Sequence, residues 1–351
     1  MSFAYIGCRT TRERGARGEG IGICSYDSTR GKLTLLDTLR GLVNPSYLIK
    51  NRTGCFLYCV HGDMGEVSAL AIDGTSGKLT RLNTQSCGGR NPVHLTFDAS
   101  CRYLLVANYA TGSVGFLPLE ADGSLGALQE IIPLGGEPGP HKTQQQGIHP
   151  HQLMYAPGTH FFAVPDKGGD KVSVLRFERA GDRLDVAAHS TTRTRAGAGP
   201  RHIAFHPTRP FAYLSNELDS SIGAYAWNCA AGTLQPLQIL PATPPSFTED
   251  NTTAGIVITT SGRFVYMSNR GHDSIAAFAV DPATGLLTSI GWTPTQGKQP
   301  RFITLDPEGR FLLAANELSD TIVTFRIDEA TGALAPTNDS VQTPSPTCIC
   351  F

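Results

Sequence analysis

The apolar residues of this chain fall into runs of about five, strand length rather than helix length, and the runs recur in a fixed order. One unit, from Pro200, reads PRHIAFHPTRPFAYLSNEL: an apolar run behind a proline, a turn, a second apolar run, then a polar cluster. Another, from Pro300, reads PRFITLDPEGRFLLAANEL, and related copies begin at Pro45, Pro92, Pro150 and Thr253. Each copy continues into two further runs, such as SIGAYAWN and GTLQPLQIL. Turn signals join these last two: Asp73-Gly74, Asp122-Gly123, Ala283-Thr284-Gly285 and Ala330-Thr331-Gly332. Four such runs predict one antiparallel blade, and a period of roughly 40 to 50 residues is the mark of a β-propeller.

Six copies occupy residues 45 to about 338 and leave a fragment at each end. The tail PTCICF, from Pro346, matches only a first strand, whereas the head SFAYIGCRT, GIGICSYD and GKLTLLDT matches strands two, three and four. Joined, the fragments complete a seventh blade and remove the exposed sheet edge that an open ring would leave. The expectation is an all-β, seven-bladed propeller spanning residues 1–351 as one domain, closed by pairing the C-terminal strand with the N-terminal ones. The length alone favours two domains, but stacked repeats bury a continuous core with no boundary.

Composition narrows the partners. A formal net charge of -1 with 17% charged residues supplies no basic field for nucleic acid or anionic lipid, and no apolar run is long enough to span a bilayer. The N-terminal stretch shows no basic region before a short apolar segment, so no secretory signal is expected. Nine cysteines without CxxC pairs fit reduced thiols in a cytoplasm. A monomer acting on a small molecule is the expected state.

In an antiparallel blade the start of strand one and the end of strand two share one end of the sheet. With strand one innermost, those positions from all blades ring one mouth of the central channel. The position after the leading proline holds Ser46, Val93, His151, Arg201, Ala254, Arg301 and Thr347. The position closing strand two holds Gly62, Tyr109, Lys167, Glu217, Arg270 and Glu317, with Arg9 in the split blade, and Asn108, Asp166 and Asn216 are among the residues just before. Convergent polar groups at a concave mouth define the default small-ligand site, although neighbouring Arg and Glu can also form purely structural ion pairs.

Arg201, Arg270 and Arg301 fit an anionic substrate, because the guanidinium fork grips carboxylate or phosphate bidentately. Glu217 beside those cations is expected to stay ionised, and His151 is the acid/base candidate. His94, His149, Asn108, Asp166, Asn216 and Glu317 are expected to contribute to binding, with Gln146 reaching in from the long connection GGEPGPHKTQQQGIHPH together with His141 and Lys142. A second long connection, ATPPSFTEDNTTAG, offers Thr248, Glu249 and Asn251. His149 and His151 in HPHQ stand two apart, but no carboxylate or cysteine cluster accompanies them, so no metal is expected. GxSxG, HExxH and GxxxxGK[ST] are absent, and no cofactor is expected.

At these residues the chain resembles the lactonase family of seven-bladed propellers, which includes bacterial 6-phosphogluconolactonases and a fungal 3-carboxy-cis,cis-muconate lactonizing enzyme. GAGPRHIAFHP from Gly197, YLSNELDSSI from Tyr213, YMSNRGHDSIAAFAVDPATG from Tyr266 and HPHQ from His149 carry the likeness. It implies catalysis by His151, Arg201, Glu217 and Arg270 without a cofactor: arginines hold acid groups and developing charge, while His and Glu handle protons or water. The chain departs from many relatives at Gly255-Ile256-Val257, where an acidic-Ile-His group is common, and at His61-Gly62 in place of Asn-Glu. The muconate enzyme also lacks the acidic-Ile-His group. Hydrolysis of an anionic sugar lactone is the leading expectation, cycloisomerisation of a muconate-type dicarboxylate the alternative, and a propeller scaffold without turnover a third.

Overall fold

A computed structural model of the chain describes residues 2–180 and 183–351. Twenty-eight strands form seven four-stranded antiparallel sheets, and the only helix among the described residues is a 3-10 turn at Arg12–Arg14. The innermost strand of successive blades is Leu48–Lys50, Pro92–Phe97, Met154–Tyr155, Pro200–Phe205, Thr252–Ile258, Pro300–Leu305 and Pro346–Cys350. We number the blades one to seven in that order. The seventh pairs Pro346–Cys350 with Ser2–Cys8, followed by Gly20–Asp27 and Lys32–Arg40, so the two chain ends close the ring as expected. The sixth blade ends later than the repeat implies, its outer strand running over Leu334–Gln342.

Sheets with one polar face would solvate it, but here both faces of the inner strands are apolar. Strand two of the second blade, Tyr103–Asn108, is buried at every position. The result is seven apolar clusters, each filling the space between two neighbouring blades; Phe162, Phe116 and Phe177, for example, join blades two and three. The outermost strands alternate instead, as in Thr233–Pro241, because only one of their faces meets a neighbour.

The glycine turns have a tertiary purpose. Tyr213 in blade four donates its hydroxyl hydrogen to the Gly285 carbonyl of blade five at 3.1 Å, and Tyr5, Tyr58 and Tyr266 repeat the bond to Gly77, Gly123 and Gly332 of the next blade. Gly285 sits at φ +72°, and a Cβ there would lie 2.4 Å from Phe211. The triplet glycine is therefore required twice, for its left-handed backbone and for the aromatic ring of the preceding blade that packs on it. In blade one this glycine is Gly77, not Gly74, which has an ordinary φ.

Candidate active site

The seven innermost strands start around one mouth of the channel, where they enclose a cavity of about 720 Å³. What aims side chains into it is a repeated β-bulge. In blade four Pro200 pairs with Asn216 and His202 with Ser215, so Arg201 is the extra residue. Arg301 holds the same place between Pro300 and Phe302, as does Val93 between Pro92 and His94. A bulge leaves one residue unpaired and re-aims its side chain, which is why the position after the proline carries the site. From the set named above, Ser46, Val93, His151, Arg201, Arg301 and Thr347 all line the cavity. In blade five Ala254 is too short, and Thr252 lines the wall instead.

The closing positions of strand two behave the same way: Gly62, Tyr109, Lys167, Glu217, Arg270 and Arg9 line the cavity. Glu217 lies at the centre. Its Oε1 accepts a hydrogen bond from Lys167 Nζ at 2.7 Å, while its Oε2 stands 2.9 Å from Arg201 Nε and 3.2 Å from Arg270 Nη2. The Glu217 backbone is fixed by its N–H donating to Gly199 O, and the Arg270 guanidinium is anchored by Nη2 donating to Thr253 O. Asp170 braces the adjoining loop by accepting from Gly197 N–H and Gly199 N–H.

These side chains are buried, not projected into solvent as rim residues would be: Arg201 is 4% exposed, Glu217 9% and Lys167 6%. Mutual charge makes burial tolerable, because buried ions must be paired. Burial alone would raise the Glu217 pKa, but Arg270, Lys167 and Arg201 outweigh it and hold the carboxyl far below the usual carboxylate range. The Arg201, Arg270 and Lys167 pKa values are all lowered, by burial first, although Glu217 pulls each the other way. One carboxylate therefore holds three cations and cannot balance them.

Several buried donors and acceptors remain without a hydrogen-bond partner among the described residues. Arg201 Nε is close enough to Glu217 for an ion pair but poorly aligned, and Arg201 Nη1, Arg270 Nε and His151 Nδ1 are also unpaired. Native structures rarely leave such groups orphaned. His151 packs edge-on against Tyr109 and His202. Burial first, then Arg201, Arg301 and Lys167, hold its pKa well below the usual imidazole value.

The nominated residues Asn108, Asn216, Asp166, His149, His94, Gln146 and Glu317 do not line the cavity. Asn108 and Asn216 are clasps: the Asn108 amide donates to Cys87 O and Ser113 Oγ, and the Asn216 amide donates to Ser221 Oγ. Asp166 takes the same place in blade three, accepting from the backbone N–H groups of His149, Gly168 and Gly169. His149 stacks on Tyr109 at 4.4 Å and donates from Nδ1 to the Tyr109 carbonyl. His94 is buried one layer deeper, between Tyr47 and His202, and its pKa is pushed down to about 3, chiefly by burial. Gln146 is exposed and bonds to Lys142 O within its own loop; the loop instead presents His141 and Gln144 to the cavity. In the second long connection Asp250, Asn251 and Thr252 line the wall, rather than Thr248 and Glu249. Glu317 lies beside Arg9 Nη1 at 3.4 Å and Arg301 Nη1 at 3.7 Å.

Lys167 is a ring position to which the sequence assigned no role, although its ammonium is the closest cation to Glu217. It stood in the right repeat position, but nothing in the sequence showed that its ammonium would meet Glu217 from the next blade.

A closed ring with its ionisable groups gathered at one channel mouth defines an all-β propeller with a polar small-ligand cavity on its axis. Residues 3–351 match the family model described as "Lactonase, 7-bladed beta-propeller". The chain is 36% identical to a 6-phosphogluconolactonase of Bacillus subtilis (strain 168), over 86% of this chain and 85% of the relative. It is 32% identical to one of Formosa agariphila, over 86% of each. Its fold superposes on a periplasmic gluconolactonase of Pseudomonas aeruginosa with a TM-score of 0.90 and 30% identity, covering 99% of this chain and 98% of that one. The chain belongs to the lactonase family of seven-bladed β-propellers, and it is a lactone-hydrolysing enzyme.

Proposed function

We propose that the enzyme hydrolyses the internal ester of an anionic sugar-acid lactone, with 6-phosphogluconolactone as the reference substrate and His151, Arg201, Glu217 and Arg270 as the catalytic group. The observation that carries this reading is the excess of buried cationic donors around Glu217, with Arg201 Nη1 and Arg270 Nε unpaired beside the cavity. An ester under attack by water develops negative charge on its carbonyl oxygen, and preorganised donors in a water-poor site lower the barrier to that state. Arg201 and Arg270 fill this role.

Glu217 is too weak a base to take a proton from water, because its neighbours hold it ionised far into the acid range. Its part is to hold Lys167, Arg201 and Arg270 together. His151 lines the cavity and is held uncharged by burial and by Arg201, Arg301 and Lys167, which leaves its imidazole able to accept the proton of the attacking water and pass it to the departing alkoxide. An anionic substrate offsets the smaller part of the His151 pKa depression, which comes from Arg201, Arg301 and Lys167, and leaves the larger part, from burial, in place.

All nine cysteines are unbridged, which supports the reducing cytoplasm as the place of action. No helix among the described residues is long and apolar enough to cross a membrane. The deciding test is acid release from 6-phosphogluconolactone, set beside ultraviolet absorbance of 3-carboxy-cis,cis-muconate. Acid release above the spontaneous rate is expected, with the diene absorbance unchanged. Loss of that absorbance without acid release would point to the cycloisomerase instead.

A further inference from the structure

The cavity holds a second cationic pair that the ester chemistry does not use. Arg9, from the loop after Ser2–Cys8 in blade seven, and Arg301, the bulge residue of blade six, approach opposite oxygens of Glu317 at 3.4 and 3.7 Å. Neither guanidinium makes a side-chain hydrogen bond to any described residue, and both line the cavity. Arg201 and Arg270, by contrast, reach Glu217 at 2.9 and 3.2 Å. The outer pair is also more open, with side-chain exposures of 17% for Arg9 and 19% for Arg301 against 4% for Arg201. The two guanidinium groups repel each other. Repulsion from Arg301 is the largest influence on Arg9, whose pKa falls to about 9.

Two planar forks held close against their own repulsion, with their donors unspent, are matched to a compact anion of high charge. A phosphoryl group carries close to two charges near neutrality and three acceptor oxygens, whereas a single carboxylate, as Glu317 shows, engages the pair only loosely. Building on the lactonase reading above, we infer that Arg9 and Arg301 form a separate phosphate subsite. It anchors the phosphorylated end of the substrate while Arg201 and Arg270 face the lactone carbonyl. Glu317, with an oxygen beside each guanidinium, competes with the incoming phosphate for them. The subsite makes the enzyme selective for a phosphorylated lactone over its unphosphorylated counterpart, because binding energy gained there is available to the reacting end.

The test compares kcat/KM for 6-phosphogluconolactone and for glucono-1,5-lactone in the wild-type protein and in Arg9→Met and Arg301→Met. The ratio of the two values is expected to fall at least about 30-fold in each variant, with most of the change in the phosphorylated substrate. Inorganic phosphate is expected to inhibit the wild-type enzyme competitively and to lose that effect in both variants. Glu317→Gln removes the competing charge at constant shape, so inorganic phosphate should bind it more tightly. An unchanged substrate ratio, or tighter phosphate binding in none of the variants, overturns the subsite. If the wild-type protein opens neither lactone, the lactonase reading of this substrate class fails by itself. Calorimetric titration of inorganic phosphate into the wild type and Arg9→Met then still decides the subsite, which stands if Arg9→Met abolishes binding and falls if it does not.

Discussion

Arg201 Nε lies 2.9 Å from Glu217 Oε2, and the two side chains are 4% and 9% exposed. The pair joins the start of the innermost strand of blade four to the end of the strand beside it. Lys167 from blade three and Arg270 from blade five reach the same carboxylate, so three blades meet at one charge. Removing that charge has consequences for both activity and stability.

Glu217→Gln keeps the shape and leaves Lys167, Arg201 and Arg270 without their counter-ion. Breaking a buried pair from one side costs about 3–5 kcal/mol, and urea unfolding should show a loss of that order. The variant should also lose activity on the lactone, because the three cations no longer hold their arrangement. Wild-type stability with wild-type turnover would remove Glu217 from the site.

Arg201→Lys retains a positive charge but not the planar fork. A lysine cannot both meet Glu217 and present an aligned donor to the carbonyl oxygen, so kcat should fall by about 10²–10³, the scale for a lost oxyanion donor. The substitution is small enough for circular dichroism and the urea midpoint to stay close to wild type, which separates chemistry from folding.

The histidines set the response to acid. Burial, followed by Arg201, lowers the folded-state pKa of His94 to about 3 and depresses His151 and His202 as well. A histidine depressed on folding contributes stability above its unfolded value near 6.5, and that contribution is lost as pH falls toward the folded value. Stability should therefore begin to drop below about pH 6.5, each histidine adding a slope of up to about 1.4 kcal/mol per pH unit. His94→Gln should flatten the dependence between pH 6.5 and 3 in urea titrations. In kinetics, the acid limb of kcat/KM should lie well below pH 6.5, and that of kcat at a higher pH, because bound anion offsets the cations around His151. Coincident limbs would argue against His151 as the base.

The inter-blade latch can be tested without touching the cavity. Tyr213→Phe deletes one hydrogen bond, to Gly285 O, and should cost about 1 kcal/mol. Gly285→Ala forces a side chain into a left-handed turn and against Phe211, and should cost about 1–3 kcal/mol. Turnover per folded molecule should be unchanged in both, since neither residue lines the cavity.

The fold was legible because a propeller repeats its instructions. A proline, an apolar run, a turn and a second apolar run recur with every blade, and the unmatched end fragments of Ser2–Cys8 and Pro346–Cys350 could only complete each other. The ring of site positions was legible for the same reason. A one-residue bulge at a fixed place in the repeat carries Arg201 and Arg301 to the channel mouth, and the residue ending strand two carries Lys167, Glu217 and Arg270.

What the repeat could not separate was lining from support, because adjacent residues on a strand point opposite ways. Asn216 and Glu217 are neighbours in sequence, yet the first clasps its own turn and the second holds three cations. His94 and His149 occupy positions as polar as His151, but one is buried beneath the site and the other is spent on Tyr109. By itself the sequence determined the strands, their number per blade, the closure and the ring of candidate positions, since these follow from local patterns that repeat. Only the tertiary structure decided which charges meet, because Lys167, Glu217 and Arg270 are brought together by the packing of three blades around an axis, a relation that no local pattern encodes.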